Sequence, residues 1–521
     1  MYWTLTAGFA VVLLTYSLLR ALLYSTQDVH EPPPLDTFIP FISPVIRMAW
    51  MGTRYWTAQR DLPIYTIRLP ATRLYVVNST SLIPAVQRHV RTLSFSPILS
   101  RIASNLIAAS QPGVQILSED EEDGFIARFH NFNHVSLASG SNLDALNKKA
   151  WEVTASLHSQ EYYDSPRKLR MYEWISHGVM MVTTEALYGH QNPFRSPEIR
   201  EAWHEYKSGL TYLVTGFMSS ITAKKSARAR KALFQAFERY YEGVGLEDVG
   251  TSTYIKKQHD VLSHSGLSDP DIAKTATAFT IALLANTIQA TFWLVYHIFS
   301  NDAILQDCRK ELLAVLQKGE NGSHYLDLTS VKHSCPILFS TYQETIRTHS
   351  MGVSVVQAVE DQLIAERYLL RKGALVMIPS SVQHGNKSIW GENVDDFDYL
   401  RFHREKGKKK GWNPVAFRGF GGGLNLCPGR HFATSTALGF AASIILSFDM
   451  QPTNGRWVRP TIKNSSFSIA LNQPDTDLDV KVYCREEQEW KATFSTSERR
   501  MQVSAEDIDD GGMPVHTYLG T

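Results

Sequence analysis

The order of hydrophobic and polar positions divides this chain into regions of different period. Met1 to Tyr24 is an almost unbroken apolar run whose only charge is Arg20. Its length suits a bilayer span, since about 20 residues cross a hydrocarbon core. A cleaved signal peptide is the rival reading, but the run lacks a basic leader and its apolar part is long. Between 60 and 82 the pattern changes to short β-branched runs, Leu62 to Ile67 and Thr72 to Val77. These predict a hairpin, closed by Asn78-Ser79. Leu82 to Arg88 follows as a short helix. From 140 to 250 the spacing is helical with few prolines, and Trp203–Met218 and Lys225–Tyr240 predict two amphipathic helices. Pro270–Phe299 is the longest apolar helical run, with Asp271 and Lys274 its only charges. A helix apolar on nearly every side is buried in a large core or in a membrane. Asn286, Thr287, Gln289 and Thr291 in its middle are costly there unless used or paired. Asn301 and Asp302 read as the cap of the next helix, Ala303–Lys318, and Gly373–Pro379 as a strand.

Composition changes this picture in a few places. Glu31-Pro32-Pro33-Pro34, Pro40 and Pro44 predict a stiff extended hinge over 25–50, between the anchor at 1–24 and a body at 51–490. The tail, 491–521, is polar and turns acidic near Asp510, so it is expected to be disordered. Lysine and arginine number 52 against 51 acidic residues, which gives no reason to expect nucleic acid as a partner. Cys308, Cys335, Cys427 and Cys484 include no CxxC pair. That argues against a disulfide scaffold or zinc ribbon and suits a mostly reducing compartment. Asn-x-Ser/Thr sequons at Asn78, Asn321, Asn386 and Asn464 would matter only in a lumenal domain.

The chemistry concentrates in Phe420-Gly421-Gly422-Gly423-Leu424-Asn425-Leu426-Cys427-Pro428-Gly429-Arg430. Glycines let a backbone approach a flat partner closely, and a cysteine beside a helix start can be held as thiolate. A lone thiolate offered from a tight loop to a planar cofactor describes a haem iron ligand. The bland alternative is a buried cysteine next to a turn. Phe420, Gly423, Cys427, Gly429 and Ala433 outweigh it, because together they resemble the haem-binding signature of the cytochrome P450 family.

Other residues resemble that family in the correct order. Glu344 and Arg347 lie on one helix face. Alone they would be an ordinary helix ion pair, but they stand where the family carries Glu-x-x-Arg. Val394 to Phe402 resembles the loop supplying a third partner, here Arg401, although the family's usual proline is absent at Val394 and Tyr399. The implied role of Glu344, Arg347 and Arg401 is to stiffen the floor beneath the haem. His384 and Trp390-Gly391 resemble the short helix that follows the strand at 373–379.

The resemblance spans roughly residues 30–490. It implies a mainly α fold with a small β subdomain, preceded by an N-terminal transmembrane helix. It implies haem b, with Cys427 as the axial iron ligand, Phe420 shielding the sulfur, and Gly421, Asn425 and Gly429 around the cofactor. Asn425 stands where the family usually has an arginine or histidine for a propionate; Lys148, Lys149 and Arg371 are candidates to replace it. An apolar substrate, an NADPH-dependent flavoprotein reductase and an endoplasmic reticulum membrane are implied too, with the catalytic domain cytosolic. The basic run Arg404–Lys410 is either a solvated loop or a patch steering that reductase.

The long apolar helix departs from the family. It carries no acid before the alcohol: Asn286-Thr287 stands there, Leu284 replaces the usual glycine, and the segment ends in Ala290-Thr291-Phe292-Trp293. This resembles the subgroup of sterol 7α- and 12α-hydroxylases and prostacyclin synthase. Two mechanisms follow. Asn286 and Thr287 position water and protons for O2 activation in a hydroxylase, or the haem rearranges a peroxide or epoxide without external electrons. The hydroxylase is favoured, because the sterol members keep a similar Ala-Asn-Thr order. A non-catalytic haem sensor is a third class, and Asn286 satisfying a helix kink is the structural alternative.

Overall fold

In the computed structural model, residues 2–52, 54–160, 166–216, 223–320, 323–403, 413–466, 468–485, 490–497 and 501–507 are described. The chain divides into two units. One comprises Met1–Ile98, Met351–Asp395 and Trp412–Leu426; the other comprises Leu99–Ser350, Asp396–Gly411 and Cys427–Thr521.

In the first unit the apolar N-terminal run forms helix α1 (Tyr2–Ser25). Only 6% of its Thr6–Ser25 window is buried. The prolines after it hold extended backbone just as far as Leu35, whose N–H donates to the Thr66 carbonyl at 2.8 Å. Helix α2 (Ser43–Met51) then begins with Pro44 in its first turn. The hinge is therefore part helix, because proline is compatible with a first helical turn.

Strands β1 (Ile64–Leu69) and β2 (Thr72–Val77) form the predicted hairpin. Leu69 pairs with Thr72, so the loop is Pro70-Ala71, not Asn78-Ser79. Ala71 adopts φ +63° there, a conformation alanine does not advertise in sequence. The Asn78 amide instead donates to the Gln59 and Leu62 carbonyls, at 3.0 and 2.9 Å. With β3 (Leu93–Ser94), β4 (Val353–Ala358) and β5 (Leu375–Pro379) the sheet order is β1-β2-β5-β4-β3. Strand β5 runs parallel to β2 and antiparallel to β4. Ile64, Tyr75, Val77, Val376 and Ile378 pack on one side. Tyr65, Ile67, Val76 and Met377 pack in a separate cluster. A sheet covered on both faces needs continuous apolar runs, which explains the weak alternation in β2 and β5.

The second unit is helical: α3 (Phe125–Leu137), α4 (Ser141–Gln160), α5 (Met171–Tyr188), α6 (Pro197–Ser208), α7 (Lys224–Glu242), α8 (Asp269–Phe299), α9 (Asp302–Val315), α10 (Pro336–His349) and α11 (Arg430–Ser447) are its main members. Helix α8 packs against α5, α7, α10 and α11. Every residue from Thr287 to Phe299 is buried, and 72% of the helix's most apolar window is enclosed. Protein, not lipid, surrounds it. Asn301 caps α9, its side-chain oxygen accepting from Ala303 and Ile304.

Two predicted helices are shorter than their sequence pattern. Trp203–Met218 breaks at Gly209 into α6 and Leu210–Thr215; Met218 lies outside the described residues. A Cβ at 209 would collide with Ser226 of α7, so close helix approach places glycine there. The helix from Asp302 stops at Val315, and Gln317-Lys318 pairs with His324-Tyr325 instead.

The tail also departs from expectation in its described part. Trp490–Thr493 pairs in parallel with His324–Asp327, and Trp490 stacks on Trp151 at 5.1 Å. Met501, Val503 and Ser504 are buried. A few apolar residues anchor this stretch, and its average polarity conceals them.

Three buried histidines make stability pH-dependent. His158 Nδ1 lies 2.5 Å from Ser443 Oγ, and His297 Nε2 lies 2.9 Å from His349 Nε2. Trp293 stacks on His349, and Phe397 on His297. Burial holds His158 and His297 down to about 3. Burial first, then His297 and the Arg459 charge, hold His349 well below its ordinary value. Between pH about 6.5 and 3 the unfolded chain therefore binds more protons than the folded one, and stability falls with pH. Each such histidine adds to the loss of stability as pH falls through that window, because only the unfolded chain gains its proton. Urea unfolding midpoints measured at pH 7.5 and 5.5 are expected to differ accordingly. Equal midpoints would show that these histidines are not held neutral.

Candidate active site

The cysteine loop is built by local backbone requirements. Gly421 has φ +80°, and a Cβ on it would lie 2.5 Å from the Asn425 carbonyl oxygen. Its N–H donates to the Arg418 carbonyl at 3.2 Å, and the Leu426 N–H donates to the Gly423 carbonyl at 3.1 Å. These bonds close a single turn, Gly423–Asn425. Only glycine reaches this conformation without strain. Phe420 and Asn425 are half-buried. This stretch belongs to the first unit, and the chain enters the second at Cys427.

Cys427 precedes the start of α11. Its carbonyl accepts from the Arg430 N–H at 3.4 Å and from Arg430 Nη1 at 3.2 Å. Burial pushes the thiol up, while the Gly429 N–H aimed at the sulfur and the Arg430 charge oppose that rise. A Cβ at Gly429 would meet nothing within 4 Å. Cys308 and Cys335 are fully enclosed, and burial pushes the Cys335 thiol up to about 12. Such cysteines are inert.

This donor set suits haem. Among the described residues no group of three or more His, Cys, Asp or Glu could hold a bare metal ion. One half-buried thiol with a backbone N–H on its sulfur is a sufficient protein ligand only for iron that brings its own equatorial donors. A porphyrin supplies them.

The structure brings Glu344, Arg347 and Arg401 together. Glu344 is fully buried. It accepts from Arg347 Nε and Nη2 at 2.7 Å each, from Arg401 Nε at 3.1 Å and from the Asp398 N–H at 3.1 Å. Arg347 and Arg401 both donate to the Asp396 carbonyl at 3.3 Å. One carboxylate between two guanidiniums satisfies its lone pairs on several sides.

Asn286 and Thr287 lie on α8, which is continuous through both. Asn286 Oδ1 accepts from the Ala470 and Leu471 N–H groups at 2.8 and 3.2 Å. The side-chain oxygen thus ties α8 to a second segment instead of mending a break in the helix. Thr287 Oγ1 donates to the Leu283 carbonyl at 2.9 Å.

Arg371 lies in an ion-pair cluster of the first unit. Asp28 and Asp361 hold its guanidinium at 2.7 Å each, so it is committed within the first unit. Lys148 is exposed on α4, and Lys149 is half-buried beside it. The basic run Arg404–Lys410 lies outside the described residues.

Two arrangements escaped sequence reading. Lys207 of α6 is only 6% exposed. It donates to Tyr172 Oη at 3.3 Å and Gln473 Oε1 at 2.9 Å, and Gln289 Nε2 reaches the same Tyr172 oxygen at 2.8 Å. Desolvation lowers the Lys207 amine to about 8. On an amphipathic helix a lysine reads as solvent-facing. The other arrangement joins Arg430 and His431 to Asp507, 77 positions after Arg430, and no local pattern signals such a pairing.

Comparison with known proteins agrees with this geometry. The family model described as cytochrome P450 matches residues 33–480. Cytochrome P450 monooxygenase nodJ of Hypoxylon pulicicidum is 30% identical over 90% of this chain and 93% of its own length. Cytochrome P450 7B1 of Mus musculus is 23% identical over 91% of this chain and 94% of its own, in keeping with the 7α-hydroxylase subgroup read from α8. The solved structure of retinoic acid bound cyanobacterial CYP120A1 shares the fold, with TM-score 0.67, 18% identity, and coverage of 88% of this chain and 100% of that one. The chain belongs to the cytochrome P450 family and is a monooxygenase whose cofactor is haem held by a cysteine thiolate.

Proposed function

We propose that this monooxygenase hydroxylates or otherwise oxidises an apolar sterol, terpenoid or related secondary metabolite. Electrons come from an NADPH-dependent flavoprotein reductase, and α1 anchors the chain in the endoplasmic reticulum membrane with its catalytic domain in the cytosol. The observation that supports oxygenation over peroxide or epoxide isomerisation is similarity to a monooxygenase along nearly the whole chain. The haem, once bound to Cys427, supplies the O2 chemistry.

The protein's own part is to manage protons. The Asn286 oxygen is occupied by Ala470 and Leu471, which leaves its NH2 as a donor. The Thr287 hydroxyl spends its proton on Leu283 and so presents an acceptor. A donor and an acceptor on adjacent residues of a buried helix can orient a water between them, and a water chain can carry the proton.

Turnover with a reductase, NADPH and isotopically labelled O2 tests this reading. One labelled oxygen atom per product is expected, matched by NADPH consumption. Asn286→Ala is expected to keep consuming NADPH while losing labelled product. A product that is an isomer of the peroxide or epoxide supplied, formed without NADPH, label or an alcohol by-product, would replace this reading with the isomerase.

A further inference from the structure

The family match ends at residue 480, yet the chain beyond it is threaded back into the second unit. Ser495 is held by Asp327, its N–H at 2.8 Å and its Oγ at 2.7 Å. Gln343, next to Glu344, donates to the Gln502 carbonyl at 3.3 Å. The last described segment, 501–507, ends in a short turn at Ala505–Asp507. The Asp507 carboxylate closes that turn by accepting from the Ser504 N–H at 3.0 Å and Ser504 Oγ at 2.8 Å.

The same carboxylate grips the residue that follows the cysteine loop. Arg430 donates to it through Nη2 at 2.6 Å and through Nε at 3.1 Å, and His431 Nε2 lies 3.4 Å away. The two partners are enclosed, with side-chain exposures of 12% for Arg430 and 6% for Asp507. Arg430's remaining nitrogen, Nη1, donates to the Cys427 carbonyl. An unbroken chain of contacts therefore runs from the tail carboxylate, through one guanidinium, to the backbone of the iron-ligating residue. Charge interactions in such a dry site are much stronger than in water.

We propose that Asp507 is a positioning residue for the haem ligand: it neutralises Arg430 and fixes its orientation, and through Arg430 it lowers the reduction potential of the iron. An unneutralised guanidinium three residues from the sulfur would stabilise the more negative, reduced centre and draw electron density from the thiolate. Hydrogen bonding and charge around the ligand sulfur are recognised levers on such potentials. The tail supplies a counter-charge that the 33–480 family match does not contain.

The test is the ferric–ferrous midpoint potential of the full-length haem-loaded protein, measured by spectroelectrochemistry, with the ferrous–CO spectrum as a check of thiolate ligation. Asp507→Asn is expected to shift the potential positive with the thiolate-type CO band retained. Asp507→Glu, which keeps the charge, is expected to stay near the wild type. Arg430→Gln, which leaves the Asp507 charge uncompensated, is expected to shift it negative, and adding Asp507→Asn to that background to bring it back toward the wild type. A wild-type potential in Asp507→Asn, or a double variant that stays as negative as Arg430→Gln alone, would overturn the proposal. Should Asp507→Asn fail to retain haem, Arg430→Gln alone decides: no negative shift sinks the idea.

Discussion

Cys427→Ala is expected to abolish the thiolate-type ferrous–CO band and all NADPH-dependent turnover, while the polypeptide remains folded. The loop geometry does not depend on the sulfur. Gly421, Gly423 and Leu426 close the turn through backbone bonds, and Arg430 is held by Asp507 and the Cys427 carbonyl. None of these contacts is lost with the side-chain thiol. Iron loses its only protein ligand in the loop, so the loss of function is complete rather than graded. Circular dichroism melts of variant and wild-type apoprotein should agree to within the ordinary cost of a small, half-buried truncation, about 1 kcal/mol. Cys308→Ala is the matched control, since Cys308 is fully enclosed in its own helix packing, and its CO band should be unchanged. Persistence of the band in Cys427→Ala would assign the ligand elsewhere.

Glu344→Ala is expected to be the most destabilising single change in the second unit. It strands two guanidiniums whose side chains are 2% and 8% exposed and removes the acceptor of the Asp398 N–H. Breaking a buried ion pair from one side costs about 3–5 kcal/mol. That is a large fraction of a typical net stability of roughly 5–15 kcal/mol. Haem occupancy should fall in parallel, because Glu344 joins α10 to the 396–401 segment. Denaturant unfolding and the haem-to-protein absorbance ratio read the two effects separately. A loss below about 1 kcal/mol would place this cluster in the class of solvated surface pairs. Glu344→Gln should be milder, since an amide oxygen can still accept from one guanidinium.

The legible parts of the molecule share one property: their signal lies within a few residues. Hydrophobic period predicts α8 because its neighbours cover it on nearly all sides. Asn301 predicts its own helix start because capping is a bond to the next turn. Gly421, Gly423 and Cys427 are readable because backbone strain and ligand chemistry both restrict which residues can stand there. Glu344 and Arg347 are readable for their spacing, and Arg401 only through family resemblance.

The misread parts depend on distant contacts. Gly209 breaks a helix because Ser226 comes too close. The β1–β2 turn falls at Ala71, a residue with no turn preference, because pairing register decides it. The ion pairs of Arg371 with Asp28 and Asp361 join positions far apart in sequence. The described stretches 490–497 and 501–507 gave no sign of packing because their few buried side chains are diluted by polar neighbours.

By itself, the sequence determined the haem-thiolate chemistry, the helical class and the identity of the central buried helix. Each of these rests on covalent character, backbone conformation or a short repeat. Only the tertiary structure decided where charge is balanced. Asn286 spends its oxygen on Ala470 and Leu471, and Asp507 returns to Arg430 beside Cys427. Buried polar groups must find partners wherever folding brings them, and the long-range packing that selects those partners leaves no local mark on the chain.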